Sequence, residues 1–170
     1  MVKAVEIREL TMKDDKYPQK PKILIADDED KNLRLMVAYL TPLGYEVILA
    51  RDGEEALEKA NQILPDVILL DVMMPQLDGF EVTMRLKENE ETQIIPVVIV
   101  TALNQVEDRV RALEAGADDF LSKPVDRIEL RTRVRSLVKV KAYLNHLRNY
   151  QQELEMKVAE QTAALRLALD

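Results

Sequence analysis

The 170-residue chain has no cysteine, no tryptophan and a single histidine, His146. Without cysteine there is no disulfide framework, no thiol nucleophile and no thiolate-bound zinc or iron–sulfur centre. One histidine excludes a multi-histidine metal site, and a serine–histidine relay would have to be built around it alone. Absence of cysteine fits a reducing compartment, so a cytoplasmic location is expected. Long apolar runs are missing too. The longest, such as Val67–Leu70 and Val97–Val100, are strand-sized, far short of the ~20 residues of a membrane span. The N-terminus mixes Glu6, Arg8, Glu9, Lys13 and Asp14, which is no signal peptide.

Charge is present in excess of one sign: 31 acidic against 24 basic residues, net −7. That argues against nonspecific attraction to nucleic acid or anionic membrane over the whole surface. The balance is uneven. Residues 1–125 carry 15 basic and 25 acidic residues, net −10; residues 126–170 carry 9 and 6, net +3. The shift marks a boundary near Pro124. Length allows one domain of ~100–150 residues and an appendage.

Residues 1–21 are polar, end near Pro18 and Pro21, and read as a flexible N-terminal arm, although Val5–Leu10 could pair as a short strand. From Lys22 apolar runs alternate with helical periodicity. Strands are expected at Ile23–Ala26, Glu46–Ala50, Asp66–Leu70, Val97–Val100 and Asp119–Ser122. Helices are expected over Asn32–Leu40, from an Asp52 cap through Ile63, over 80–88, and over Val106–Ala115 up to Gly116. Several strands are unbroken Val/Ile/Leu runs, as in sheets covered on both faces. Five such units predict an α/β fold, a parallel sheet with right-handed crossovers.

Ligands in such sheets bind beyond the carboxyl ends of the strands. Asp27 and Asp28 follow the first strand, Asp71 the third, Thr101–Ala102 the fourth and Lys123–Pro124 the fifth. Three carboxylates, a hydroxyl and an ammonium therefore converge on one edge. Clustered carboxylates need a cation, and oxygen ligands suit Mg2+. Such a cation could hold a phosphoryl oxygen, with Lys123 neutralising another and Thr101 donating to it, while one Asp acts as nucleophile to form an acyl phosphate. The competing reading of each acid alone is a surface helix cap; four strand ends together argue against it.

The stretches ILIADDED, LLDVMMPQLDGFEV, VVIVTA and AGADDFLSKP resemble the receiver domain of bacterial two-component response regulators, in that family's order. The resemblance covers residues 22–140. It implies a doubly wound, flavodoxin-like five-stranded parallel sheet of order 2-1-3-4-5. It further implies that Asp71 accepts a phosphoryl group from a sensor histidine kinase. Asp28, Asp71 and the Met73 backbone carbonyl would ligate Mg2+, with Asp27 acting through a bound water. Lys123 would pair with the phosphoryl group, and Thr101 and Phe120 would be the switch residues. Pro75 and Gly79 would shape the loop after Asp71, and Asp78 belongs to a helix cap. Two positions that tune phosphoryl lifetime in the family are here Met73 and Leu103, neither able to orient water, which implies slow self-dephosphorylation. Such a protein is a switch and not an enzyme beyond its own phosphorylation and dephosphorylation. A haloacid-dehalogenase-type phosphatase would need an acid where Met73 stands, and a flavodoxin-like cofactor binder would need a phosphate loop where Asp27–Asp28–Glu29–Asp30 stand.

After Pro124 there is no glycine and no proline, which predicts a long helix over 126–170, ~66 Å from Asp126 to Leu169. From Leu137 a heptad begins: Leu137, Leu144, Gln151, Val158 and Leu165 at a, Val140, Leu147, Leu154, Gln161 and Ala168 at d. This predicts a coiled coil and a parallel homodimer, the alternative being a helix folded back on its own domain. Arg127, Arg131, Arg133, Arg135, Lys139 and Lys141 cluster at the helix base, expected as a solvated or dimer-contacting face. No interleaved aromatic platform and no helix-turn-helix accompany it, so nucleic acid is not an expected partner. The tail stretch LEMKVAEQTAALR resembles the connectors that join receivers to output modules, such as a cyclic-di-GMP phosphodiesterase, a diguanylate cyclase or a histidine kinase. An output module beyond this chain is therefore expected.

Overall fold

A computed structural model describes residues 19–170. The expected arm, including the possible strand at Val5–Leu10, lies almost wholly outside the described residues. Strands β1 (Lys22–Ala26), β2 (Glu46–Ala50), β3 (Val67–Leu70), β4 (Val97–Thr101) and β5 (Asp119–Ser122) form one parallel sheet in the order β2-β1-β3-β4-β5. The connecting helices are α1 (Asp30–Leu40), α2 (Gly53–Ile63), α3 (Gly79–Glu88) and α4 (Val106–Ala115). A fifth helix, α5, runs over Arg127–Leu169. The α/β, doubly wound architecture is therefore the expected one.

Alternation along the strands divides the core. Ile23 and Ile25 of β1 pack with Val67, Leu69, Val98 and Val100 against Leu33, Met36 and Leu40 of α1 and Leu130, Val134 and Val138 of α5. Leu24 and Ala26 point the other way, with Ile68, Leu70 and Ile99, against α2, α3 and α4. Both faces are covered, which is why the strand sequences are continuously apolar.

Local chemistry sets the ends. Asp52, Asp78 and Asp126 each accept the N–H of the residue three positions on (Glu55, Glu81 and Glu129) and so begin α2, α3 and α5. Gly116 ends α4 at φ 96°. The third strand starts one residue later than expected; Asp66 just before it still ties to Lys22, its N–H donating to the Lys22 carbonyl at 2.8 Å and its carboxylate accepting the Lys22 N–H at 2.7 Å.

Helix α5 is one unbroken element of 43 residues, about 64 Å long. Leu130, Val134, Val138 and Lys141 are its buried positions. That stripe is displaced around the helix from the heptad positions. Leu137 is half-buried, whereas Val140, Leu154 and Leu165 are 48, 43 and 62 % exposed. Residues 148–170 are exposed throughout. The basic cluster does not form one solvated face. Lys141 is buried against the body, where burial depresses its pKa and the Asp66 carboxylate opposes that effect. Arg133 pairs with Asp119 at 2.6 Å and Glu129 at 3.2 Å. Among the described residues no helix is long and apolar enough to cross a membrane.

Candidate functional site

Parallel pairing brings the carboxyl ends of β1, β3, β4 and β5 to one edge. Asp27 follows β1 and its N–H donates to the Ala50 carbonyl (3.1 Å). Asp71 follows β3 and its N–H donates to the Ala26 carbonyl (2.9 Å). These backbone bonds extend the ladder one residue beyond each strand and aim both side chains into the same crevice. Asp27, Asp28 and Asp71 each present a carboxylate oxygen within 4.8 Å of the other two. Asp27 and Asp71 are buried and Asp28 is exposed.

Lys123 reaches this cluster from the end of β5. Its Nζ lies 2.7 Å from Asp27 Oδ2 and 3.2 Å from Asp71 Oδ2. Its backbone N–H donates to the Thr101 carbonyl at 3.0 Å, which fixes the stem that carries the ammonium. Burial pushes the Asp71 carboxyl above its usual range; the Lys123 charge opposes that and the Asp27 charge adds to it. Burial also disfavours the Lys123 ammonium. The Asp27 hydrogen bond and both carboxylate charges outweigh it, so the Lys123 pKa is raised. One ammonium thus serves two buried carboxylates, with a third alongside. A small dication with oxygen ligands fits a donor set of three carboxylates and little else. A carboxylate held among cation-binding groups in this way has the chemistry of an oxygen nucleophile toward phosphorus.

Thr101, at the end of β4, is buried, and its Oγ1 accepts the Leu103 N–H at 3.3 Å. Phe120 is half-buried in β5, packs on the core beneath α4 and lies 5.4 Å under the Arg109 guanidinium. Met73 is 65 % exposed in the loop after Asp71. In that loop Gly79 N–H donates to the Val72 carbonyl (3.0 Å). A Cβ at Gly79 would run into the Asp71 carbonyl oxygen, so the loop closes onto the strand only with glycine there. Asp78 caps α3, accepting the Glu81 N–H, as expected.

Two contributors escaped the sequence reading. The Glu29 N–H (2.9 Å) and Asn32 Nδ2 (3.4 Å) both donate to Asp27 Oδ1, turning Oδ2 toward Lys123. Asn32 sits on the first turn of α1, five residues past Asp27, a spacing that could have suggested it.

A doubly wound parallel sheet with an acid cluster and a lysine at its carboxyl edge is the architecture of flavodoxin-like signalling proteins of the chemotaxis-regulator type. The response regulator receiver domain family matches residues 23–135, and the chain belongs to that family. The response regulator PleD of Caulobacter vibrioides is 51 % identical over 127 residues, 75 % of this chain and 28 % of that protein. The receiver domain of Francisella response regulator 1452 is 38 % identical with a TM-score of 0.66, over 71 % of this chain and 98 % of that one. The receiver domain of sensor histidine kinase PA1611 from Pseudomonas aeruginosa, solved with a magnesium ion coordinated in its active-site cleft, is 33 % identical. Its TM-score is 0.67, over 71 % of this chain and 99 % of that one. The chain spans between 28 and 49 % of the length of the curated relatives it matches.

Proposed function

We propose that this protein is a phosphorylation-controlled switch. Asp71 accepts a phosphoryl group from a phosphohistidine of a sensor kinase, and α5 passes the change to an output module as a dimeric helix. The observation that carries the reading is the Asp27–Asp28–Asp71 cluster with Lys123 bridging two of its members. The magnesium-bound cleft of the PA1611 receiver supports Mg2+ as the cation. Asp28, Asp71 and the Met73 carbonyl are assigned as its ligands, with Asp27 acting through water. Mg2+ would supply charge neutralisation for the carboxylates and for the incoming phosphoryl oxygens.

The residues act as follows. An Asp71 carboxylate oxygen attacks phosphorus, the phosphorus–nitrogen bond to the donor histidine breaks, and an acyl phosphate forms. Lys123 leaves Asp71 for a phosphoryl oxygen while keeping Asp27. The Thr101 hydroxyl turns inward to donate to another phosphoryl oxygen, and Phe120 follows it inward. The new charge then biases α4 and β5, and through them α5. Residues 22–140 are assigned as the receiver and 126–170 as the transmitting helix. The same lack of thiols and of membrane-length apolar runs supports a cytoplasmic setting.

The test is the mass of the protein after incubation with acetyl phosphate and Mg2+. The wild type should gain one phosphoryl group and Asp71→Asn none. No addition to the wild type under conditions that phosphorylate other receivers would overturn the proposal.

A further inference from the structure

Gly53 opens α2, three residues past the carboxyl end of β2. Its backbone is not left-handed, so no conformational need explains it. What explains it is space. A Cβ at Gly53 would collide with the Leu77 carbonyl oxygen and come within 2.6 Å of the Leu77 Cβ and 3.0 Å of its carbonyl carbon. These atoms are backbone and side-chain stem, which cannot swing aside as the tip of a long side chain could.

Leu77 stands in the 72–78 loop that leads from the phosphoacceptor to α3. Its side chain packs on the core cluster beneath α2 and α3. Its N–H donates to the Pro75 carbonyl at 3.0 Å, and Met74 N–H donates to the Val72 carbonyl at 3.0 Å. Gln76, just before it, has φ 71°, a left-handed conformation that a side chain adopts only when its surroundings impose it. The loop is therefore tightly bent between two close approaches, Gly79 on Asp71 and Gly53 on Leu77. The Met73 carbonyl lies between Asp71 and the second of these.

We infer that Gly53 is a positioning residue for the cation site: by letting α2 abut Leu77, it sets the path of the loop that presents the Met73 carbonyl. The inference rests on the reading of Asp28, Asp71 and Met73 as the Mg2+ ligands. Gly53 touches no ligand; it acts through Leu77 and the loop.

The experiment measures Mg2+ affinity by titration calorimetry, beside thermal unfolding in the absence of Mg2+, for the wild type, Gly53→Ala and Gly44→Ala. Gly44 is the control for ordinary destabilisation. Its φ of 85° makes alanine strained there, but nothing lies within 4 Å of the added Cβ. Both variants should lose stability. Gly53→Ala should bind Mg2+ about tenfold more weakly. Gly44→Ala should stay within about twofold of the wild type, as a distant site adds independently. A Gly53→Ala affinity equal to that of Gly44→Ala overturns the inference and leaves the assignment of the ligands standing. A wild type that binds no Mg2+ overturns that assignment and the inference with it. If Gly53→Ala does not fold, Leu77→Ala carries the test, since it frees the loop from the core without adding an atom at position 53. It too should bind about tenfold more weakly, and an unchanged affinity overturns the inference.

Discussion

At the scale of single residues, Asp71, the proposed acceptor, is held in an environment that carries a cost to the fold. Burial raises the Asp71 carboxyl pKa above the ordinary 3.8, and the neighbouring Asp27 charge acts the same way against the pull of Lys123. A carboxyl whose folded-state pKa lies above its unfolded one binds its proton more tightly when folded. The stability this gives is complete below 3.8 and is lost as pH rises through the higher folded value. At neutral pH without metal, the ionised Asp71 is therefore a net burden. Asp71→Asn should melt higher than the wild type there, and the gap should close as pH is lowered towards 3.8. A gain of ~1 kcal/mol would be read as about 2–4 °C in a chain of this size. Saturating Mg2+ should reverse the order, since only the wild type retains the full ligand set. Equal melting temperatures at pH 7 without metal would contradict this account. A second prediction concerns Met73 and Leu103. Met73 is largely exposed, and Leu103 packs on the core without a polar group to offer. Phosphorylated wild type should decay more slowly than the Met73→Asn/Leu103→Glu double variant, followed by mass or by loss of label. Equal decay would remove these positions from any role in the lifetime.

At the scale of elements, α5 has two halves that answer to different forces. Leu130 and Val134 are fully buried against β-strand residues and α1, whereas Leu154 has no cover from the body. Leu130→Ala should cost about 3 kcal/mol in denaturant unfolding of the body, and Leu154→Ala should leave that transition in place. Comparable losses from both would mean the distal half folds back. The difference also explains what could be read in advance. The strands, the four short helices and the acid–lysine site were legible because their signals are local. A continuous apolar run ends in an acid, an aspartate caps a helix, and Asp27, Asp71 and Lys123 each stand one position past a strand. The docking stripe of α5 was not legible, because it begins at Leu130 and runs through Val138 and Lys141 into the heptad that begins at Leu137. Two periodicities share one stretch, and only the position of the sheet decides which face turns inward. Lys141 was read as surface for the same reason. Gly53 was hidden differently: Asp-Gly before a helix reads as turn and cap chemistry, and the close approach that requires it involves Leu77, distant in sequence.

At the scale of the whole molecule, the distal half of α5 is predicted to take a second copy of the chain as partner. It extends from about residue 148 with Leu154, Met156, Val158, Leu165 and Leu167 exposed. An isolated helix of that length is marginal in water, and eight apolar residues in ten heptad positions form a seam that a second copy would cover. Light scattering should give a dimer for the full chain and a monomer for a chain ending at residue 140. Orientation is a separate question. In a parallel pair Gln151 faces Gln151 and Gln161 faces Gln161, which pairs the amides and sets the receivers side by side. In an antiparallel pair Gln151 would face Gln161, with Leu147 against Leu165, and the receivers would lie at opposite ends. The chain contains no cysteine, so one introduced thiol reports without competition. Facing d positions of a parallel pair lie within the ~6 Å between Cα atoms that a disulfide spans. Gln161→Cys should therefore oxidise to a covalent dimer. An antiparallel seam would leave that variant uncrosslinked and would crosslink only when Gln151→Cys is added.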